Sequence, residues 1–348
     1  MTLWFVGLGI SGAASAPARA HEVIACADRV YLERFTSPVP DEDVEVVRRL
    51  AGERLVLARR WQVEDGSAIL DDAEGGGAAL VSYGDPFVAT THAELRSRAI
   101  SRGIRTEAVH AASAPWAALG ECGLHSYKAG RTATVMSEGA ATPYSVLLSN
   151  VSSGCHTVLL LEYDGERGFF LDPSDALRML LEEEGAQGRG AVSGGTYCIV
   201  ASRIGSGDQA LAAGRISSLS GSDFGDPPHA VLVPGPLHFT EEEAIAAACK
   251  CADPPAGNGS PGTAERMVSR YAPAVRESIR EAERLLGPSE VLECAGRYAD
   301  DAESFLAGGR PEVAVLCVGY ADGLVDSAMI SSGLAPKGYG ARDGGGNG

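Results

Sequence analysis

The chain has 348 residues, 45% of them hydrophobic, which is enough for two or three domains with sizeable cores. Its formal net charge of −17 argues against nucleic acid as the main partner, because phosphate contacts need a positive patch. The eight cysteines lack zinc-finger spacing and no basic leader precedes the first apolar run, so we expect a cytoplasmic protein with reduced thiols and no metal. No apolar run reaches the length that spans a membrane, so no membrane contact is expected.

Short apolar runs alternate with helical patterns over residues 1–112. The predicted strands span residues 3–8, 29–33, 54–57, 78–83 and 105–110, and the predicted helices span residues 17–27, 41–50 and 92–102. This alternation predicts a parallel sheet wrapped by helices, forming a first α/β domain. Residues 113–251 are more mixed and form a second α/β domain. Its predicted strands lie at 133–135, 157–162, 168–171, 197–202 and 230–233, and its predicted helices at 173–184 and 241–248.

The composition changes sharply after this second domain. Residues 252–262 are rich in Pro, Gly, Asn and Ser, which is typical of a linker. Three helical patterns follow at 263–286, 289–306 and 311–330, separated by Gly-Pro and Gly-Gly breaks. They predict a small helical domain over 263–335, which resembles an archaeal helical domain of unknown function. The glycine-rich residues 336–348 are predicted to be a disordered tail.

The segment VSYGDPFVATTH, residues 81–92, carries the strongest functional signal. A buried strand ends here in Gly84, Asp85 and Pro86, which together force a tight loop. Ligands of open α/β sheets bind just outside the carboxyl ends of the strands, so this loop is a candidate binding site. The alternative interpretation is an ordinary strand-turn-helix joint in which Asp85 only stabilises the turn.

A glycine loop near the amino terminus offers a competing interpretation. Residues 7–12, GLGISG, fit the pattern of a dinucleotide-binding loop, and Glu33 ends a second strand where a ribose-binding carboxylate is expected. Read alone, this pattern indicates a NAD-dependent oxidoreductase. However, the following helix is predicted to begin near Pro17, so a pyrophosphate would miss the helix amino terminus that stabilises it.

Several sequence blocks together resemble the diphthine synthase family. They are WFVGLG at 4–9, YLE at 31–33 with TS at 36–37, GDPFVATTH at 84–92, HAAS at 110–113, GLHSYK at 123–128, GCHT at 154–157, DFGDPPH at 223–229 and VPGPLH at 233–238. The match runs in order over about residues 1–250, so it is specific. It implies a two-domain tetrapyrrole-methylase fold, the class III methyltransferase fold, with S-adenosylmethionine in the cleft between the domains.

The resemblance also implies an activity, partners and a set of cofactor positions. Members of the family are homodimers that methylate the amino group of the 3-amino-3-carboxypropyl-histidine of translation elongation factor 2, a step of diphthamide biosynthesis. Carried over position by position, the cofactor-binding residues are Ile10, Asp85, Val88, Ser113, Ala114, Leu161, Ile204 and His229. Asp85 and Val88 would hold the ribose or amino-acid end, Ser113 and Ala114 the methionyl part, and Leu161 and Ile204 the adenine.

The sequence leaves the catalytic base and some alternatives open. The acceptor amine must lose a proton, and His92, His125, His229, His238 or bulk water could accept it. Departures from the family pattern at residues 11–18, 138–144 and Pro236 leave open the substrate docking and the number of methyl groups added. The alternatives are a precorrin or ribosomal RNA methylase of the same fold, the NAD-dependent oxidoreductase, and an adaptor that uses the carboxy-terminal helices.

Overall fold

The computed structural model describes residues 1–165, 167–259 and 262–335 and divides the chain into two compact units. The first unit is Met1–Gly259 and the second is Ser260–Gly348. Separate hydrophobic clusters form the cores of the two units. The predicted disordered tail, residues 336–348, lies outside the described residues.

A parallel five-stranded sheet organises the amino-terminal part of the first unit. Its strands are β1 (Thr2–Gly7), β2 (Arg29–Glu33), β3 (Leu55–Ala58), β4 (Gly77–Ser82) and β5 (Arg105–Val109). They lie in the order β3-β2-β4-β1-β5, and every neighbouring pair is parallel. The helices are α1 (Ala18–Cys26), α2 (Asp41–Ala51), α3 (Arg60–Asp65), α4 (Ser67–Gly75) and α5 (His92–Ser101). The predicted parallel sheet wrapped by helices is confirmed.

Both faces of this sheet are buried because its side chains alternate between two hydrophobic clusters. Along β1, Leu3 and Phe5 pack with helices α3, α4 and α5, whereas Val6 packs with α1 and α2. β4 alternates in the same way and is buried along its whole length. A sheet covered on both faces leaves its strand ends as the place for a ligand.

The remainder of the first unit contains a mixed six-stranded sheet. Its elements are α6 (Ala114–Glu121), β6 (Ala133–Val135), α7 (Ala141–Ser152), β7 (Thr157–Leu161), β8 (Tyr163–Asp164), β9 (Phe169–Phe170), α8 (Pro173–Gln187), β10 (Tyr197–Ser202), β11 (Ala210–Arg215), α9 (Ile216–Leu219), β12 (His229–Val233), α10 (Phe239–Ala248) and β13 (Lys250–Cys251). The sheet order is β13-β11-β10-β12-β7-β6, while β8 and β9 pair separately. The sequence missed α3, α4, α6, α7, α9, β8, β11 and β13. Strand β11 is rich in Ala and Gly, so its extended form depends on pairing with β10.

The chain after β13 departs from the predicted linker. Asn258 donates to the carbonyls of Tyr197 and Pro234 and accepts a hydrogen bond from the Tyr197 amide. Asp253 accepts a hydrogen bond from the amide of Arg215 at 2.8 Å. Residues 252–259 are therefore bound to the second sheet, and the boundary between the two units follows Gly259, inside the predicted linker of residues 252–262. Composition indicated a linker here because it does not reveal the side-chain-to-backbone bonds that hold such a segment.

Three helices form the second unit: α11 (Thr263–Leu286), α12 (Glu290–Ala307) and α13 (Pro311–Ser331). Among the described residues, α13 is one helix long and apolar enough to cross a membrane by length and composition, contrary to the sequence expectation. The core helix of a bundle meets the same criterion. Helix α13 buries Ala314, Ala321 and Val325 in the cluster that it shares with α11 and α12, while Leu316 and Ile330 of the same helix are exposed.

The bound segment predicts different behaviour for two truncated chains. A chain ending at Gly259 should keep the thermal stability of the first unit. A chain ending at residue 251 should lose about 2–4 kcal/mol of unfolding free energy, because several hydrogen bonds to the sheet disappear and buried backbone groups of Tyr197 are left without partners. Calorimetry of the two chains beside the full-length protein measures this difference. Equal stability of the two truncated chains would contradict the structural role of residues 252–259.

Candidate active site

Glycines join the carboxyl ends of β1 and β4. Gly9 and Gly84 exchange backbone hydrogen bonds of 3.2 and 2.8 Å, and both have positive φ, +77° and +79°. A Cβ atom on Gly7 would lie 2.5 Å from the carbonyl oxygen of Gly84, so no larger residue fits there. These contacts fix the loop that follows β4 against the end of β1.

The buried carboxylate of Asp85 ties this loop to the end of β5. Its Oδ1 accepts a hydrogen bond from the Phe87 amide at 2.9 Å, as expected of a turn residue. Its Oδ2 accepts two more, from the Ala111 amide at 3.2 Å and from His110 Nδ1 at 2.8 Å. The interpretation of Asp85 as an ordinary turn residue explains only the first contact. The two hydrogen bonds to Oδ2 hold the loop after β4 beside the loop after β5, and both loops carry predicted cofactor positions.

The other predicted positions of this first edge lie close by in the chain. Ser113 is buried and precedes α6, while Ala114 is the first residue of that helix and is exposed. Val88 is half-buried in the loop after β4. In the same loop, the Pro86 carbonyl accepts a hydrogen bond from the Thr90 hydroxyl. The first edge therefore offers an apolar side chain, a buried hydroxyl and the backbone at the start of a helix.

A second edge carries the remaining predicted positions. His229 begins β12 and pairs with Ser202, the last residue of β10, and it adjoins the end of β7, where Leu160 pairs with Ala230. Leu161 ends β7, and Ile204 follows β10 by two residues. All three positions therefore lie at one end of the six-stranded sheet, and all three side chains are half-buried.

One close contact brings the two edges together. Gly205, with φ of +88°, lies so close to Ile10 that a Cβ on it would be 2.7 Å from Ile10 Cγ1 and 2.8 Å from the Ile10 carbonyl oxygen. Ile10 follows the glycine turn of the first edge, and Ile204 directly precedes Gly205. The structure thus brings the two edges into contact at Ile10 and Gly205, and we call the region around this contact the cleft.

The apolar residues predicted at the two edges suit an adenosyl cofactor. Ile10, Val88, Leu161 and Ile204 are apolar and only half-buried, so their side chains keep surface available for a flat ring. At Gly9, an added Cβ would meet its nearest neighbour, Ala111, only at 3.9 Å, which leaves room beside the backbone of the turn. The residues present therefore fit a cofactor of this kind.

The glycine loop, in contrast, does not offer a phosphate site. The amide of Gly12 donates to the Tyr83 hydroxyl at 3.1 Å, and the amide of Ala13 donates to Asp43 Oδ1 at 2.6 Å. Helix α1 begins only at Ala18. The Asp43 carboxylate already accepts the hydrogen bond from the loop that a bound anion would need. Glu33 is 1% exposed and accepts from the amides of its own turn, so it cannot reach a ribose.

The four histidines considered as catalytic bases lie in different environments. His92 is 1% exposed, and burial lowers its pKa to about 4 while Nδ1 contacts the Pro86 carbonyl, so its ring is structural. His125 and His238 lie near the start of β7 and the end of β12, at the end of the second sheet away from Leu161 and His229. Of these four histidines, only His229 lies at the second edge, where its Nε2 contacts the Gly225 carbonyl and burial lowers its pKa.

A buried ionic network occupies the opposite end of the second sheet. Glu241 is fully buried, and its two oxygens accept hydrogen bonds from four donors, which are the amides of His125 and His238, Lys128 Nζ and His156 Nε2. Burial alone would raise the pKa of the Glu241 carboxyl, but the four donors outweigh it and lower the pKa to about 2. These histidine-containing blocks therefore hold the second sheet together.

The sequence missed one residue that the structure places at the first edge, beside Asp85. His110 directly follows β5, and its side chain is largely exposed while its Nδ1 contacts Asp85. The signal was present, because a histidine at the carboxyl end of a parallel strand lies at the same edge as Asp85. His110 was not considered as a site residue because residues 110–113, HAAS, were used only as evidence for the family resemblance.

Comparisons with known proteins give a consistent result. The family model Tetrapyrrole (Corrin/Porphyrin) Methylases matches residues 2–220, and the model Protein of unknown function (DUF357) matches residues 265–334. A diphthine synthase of Methanocella arvoryzae is 36% identical over 252 residues, covering 70% of this chain and 96% of the relative. A diphthine synthase of Methanosarcina mazei is 36% identical over 265 residues, covering 73% and 97%.

Solved structures agree with the sequence relatives. A crystal structure of diphthine synthase superposes with a TM-score of 0.64 at 30% identity and covers 72% of this chain and 97% of that one. A crystal structure of putative diphthine synthase from Entamoeba histolytica gives a TM-score of 0.64 at 26% identity, covering 73% and 99%. The two α/β sheets and their connections are therefore a shared architecture.

The Glu241 network predicts a pH-dependent stability. Replacing Glu241 by Gln should cost about 3–5 kcal/mol, because Lys128 and the other donors lose a buried anion. The folded-state pKa of about 2 lies below the ordinary value of 4.5, so this contribution is complete above pH 4.5 and is lost as the pH falls toward 2. The difference between the melting temperatures of the wild type and E241Q should therefore be largest at neutral pH and should shrink as the pH falls toward 2. The control is E242Q, at the exposed neighbouring glutamate. A difference independent of pH would contradict the role assigned to the ionised carboxylate.

Proposed function

This chain belongs to the diphthine synthase family of tetrapyrrole methylases, and we propose that it methylates the amino group of the 3-amino-3-carboxypropyl-histidine of translation elongation factor 2. It is a methyltransferase, and the proposed methyl donor is S-adenosylmethionine. The observation that carries the proposal is the cleft formed where Ile10 packs against Gly205. That cleft lies at the carboxyl edge of the first sheet, where ligands of such sheets bind.

The proposed cofactor contacts follow from the lining of the cleft. Ile10, Leu161 and Ile204 would form the apolar slot for adenine, and Val88 would cover the sugar. Ser113, Ala114 and His229 would contact the methionyl end and close the site. When bound, S-adenosylmethionine supplies a methyl group already activated on a sulfonium, so these residues need only orient it and exclude water.

Asp85 takes a more indirect part in this proposal. Both of its oxygens accept hydrogen bonds from the chain itself, and the residue is only 7% exposed. Its main task would be to hold the two loops of the first edge in place, with a single remaining acceptor direction for a ribose hydroxyl. Replacement of Asp85 should therefore weaken cofactor binding by disordering the loops.

The alternatives are not favoured. The two relatives compared above are diphthine synthases, which speaks against a precorrin or ribosomal RNA methylase, and the charge of −17 also disfavours an RNA substrate. A NAD-dependent oxidoreductase would need the glycine-loop amides that Tyr83 and Asp43 already occupy. We further propose that the enzyme is a cytoplasmic homodimer, since its protein substrate acts in the cytoplasm and the family resemblance implies dimers.

The activity can be measured with labelled S-adenosylmethionine. The acceptors are archaeal elongation factor 2 with and without the aminocarboxypropyl group on its target histidine, followed by mass spectrometry. Label should appear only on the modified factor, and the mass steps count the methyl groups. Tight cofactor binding without label on the modified factor would keep the cofactor but reject the proposed substrate.

The adenine slot can be tested by cofactor affinity. Replacing Ile204 by Ala should weaken binding of S-adenosylhomocysteine roughly tenfold, because about 1–2 kcal/mol of apolar contact is removed. The matched control is Ile100→Ala, at an exposed isoleucine on α5. Isothermal titration calorimetry measures both variants. Unchanged affinity in I204A would remove Ile204 from the site.

A further inference from the structure

We propose that His110 is the general base that accepts the proton lost by the substrate amine, and that Asp85 is the positioning residue that holds its ring. This inference rests on the proposed function, because it concerns the same cleft and the same acceptor. It assigns the proton acceptor that the sequence left open among four other histidines and bulk water.

The position of His110 meets the first requirement of a base, which is access to the substrate. It directly follows β5, at the sheet edge that carries Asp85, Ser113 and Ala114. Its side chain is 68% exposed, and its Nε2 has no hydrogen-bonding partner in the described part of the chain. A substrate amine entering the cleft from solvent can therefore reach this nitrogen.

Its partner fixes the tautomer that a base requires. Asp85 Oδ2 lies 2.8 Å from Nδ1 and also accepts from the Ala111 amide, so the carboxylate acts as an acceptor. Nδ1 must then carry the hydrogen, which leaves the lone pair on Nε2. The carboxylate is itself fixed by the Phe87 amide, and the Phe87 ring lies 6.1 Å from the His110 ring between centroids. The pair therefore has a defined orientation.

The other histidines of the first unit do not combine these features. The ring of His92 is buried, and His125 and His156 belong to the Glu241 network at the far end of the second sheet. His229 lies at the cleft, but its Nε2 contacts the Gly225 carbonyl, and no carboxylate bonds its ring in the described structure. Among the histidines that the structure describes, only His110 combines a largely exposed side chain with a hydrogen bond to a buried carboxylate.

The chemical step balances with these groups. The amine nitrogen loses its proton to His110 Nε2, and its freed electron pair forms the bond to the methyl carbon. The carbon–sulfur bond breaks, and its electron pair stays on sulfur as a neutral thioether. The imidazolium then releases the proton to water, which its exposure allows. Each further methylation of the same nitrogen removes one more proton by the same route.

The first test is chemical rescue of His110→Ala in the full-length enzyme. Its single-turnover rate on the modified elongation factor should fall roughly 100-fold or more, the usual range for a lost general base. Its affinity for S-adenosylhomocysteine should be unchanged, and added imidazole should restore the rate in proportion to its concentration. The control is His238→Ala, at a histidine outside the cleft, which should keep the wild-type rate.

The second test measures the coupling between the two residues. With S-adenosylmethionine at saturating concentration, where weaker cofactor binding no longer limits the rate, Asp85→Asn should slow turnover alone, but in the H110A background it should cause little further loss, because the ring that it positions is gone. Additive losses would mean that Asp85 acts only on the structure of the loop.

The outcomes distinguish this proposal from the function on which it rests. No label on the modified factor with wild-type enzyme would reject the proposed function and this assignment together. Normal wild-type activity with an undiminished rate in H110A would reject His110 alone. A slow H110A that imidazole does not restore, or that has lost cofactor affinity, would also reject the assignment, since both indicate a structural role.

Discussion

The cleft depends on the buried carboxylate of Asp85. Parallel strands end at one edge of a sheet, but β4 and β5 are not neighbours, so no strand pairing joins the loops that follow these two strands. Asp85 joins these loops, because one oxygen closes its own turn and the other holds the loop after β5. The backbone contact between Gly9 and Gly84 completes the edge from the side of β1. The positions of the residues that we assign to cofactor and substrate follow from these contacts.

The two ends of the second sheet carry different kinds of side chains. At one end, Glu241 gathers four hydrogen-bond donors from distant parts of the chain and fixes β7, β12 and α10. At the other end, Leu161, Ile204 and His229 are only half-buried, and Gly205, next to Ile204, contacts Ile10. Polar networks are rigid when fully satisfied, and apolar side chains with free surface can accept a ligand. The stabilising network and the residues that we propose for binding therefore lie at opposite ends of the second sheet.

The sequence predicted much of this architecture for physical reasons. The strands of the first sheet are buried on both faces and read as apolar runs, and the helices between them carry clear breaks. Helix α7 was missed although its Tyr144, Leu147 and Val151 have helical spacing, because Pro143 and several Ser and Asn residues obscure the pattern. Strand β11 could not be predicted locally, since its Ala-rich residues become extended only by pairing with β10.

The site was predicted in part for similar reasons. Local pattern indicated the Asp85 loop, and family resemblance supplied Leu161, Ile204 and His229, which no local signal distinguishes. The packing of Ile10 on Gly205 and the pairing of His110 with Asp85 join residues far apart in the chain, so they appear only in the folded structure. The resemblance likewise gave no reason to place His125 and His238 at the far end of the second sheet.

The most direct test of the account is hydrogen exchange of the full-length protein with and without S-adenosylhomocysteine. The central claim is that one cofactor site is built from both sheets. The account predicts slower amide exchange in peptides from both edges, around residues 84–88 and 110–114 and around residues 161 and 203–205, with no change at the Glu241 network. Protection confined to one sheet, or centred on residues 11–15 of the glycine loop, would contradict it.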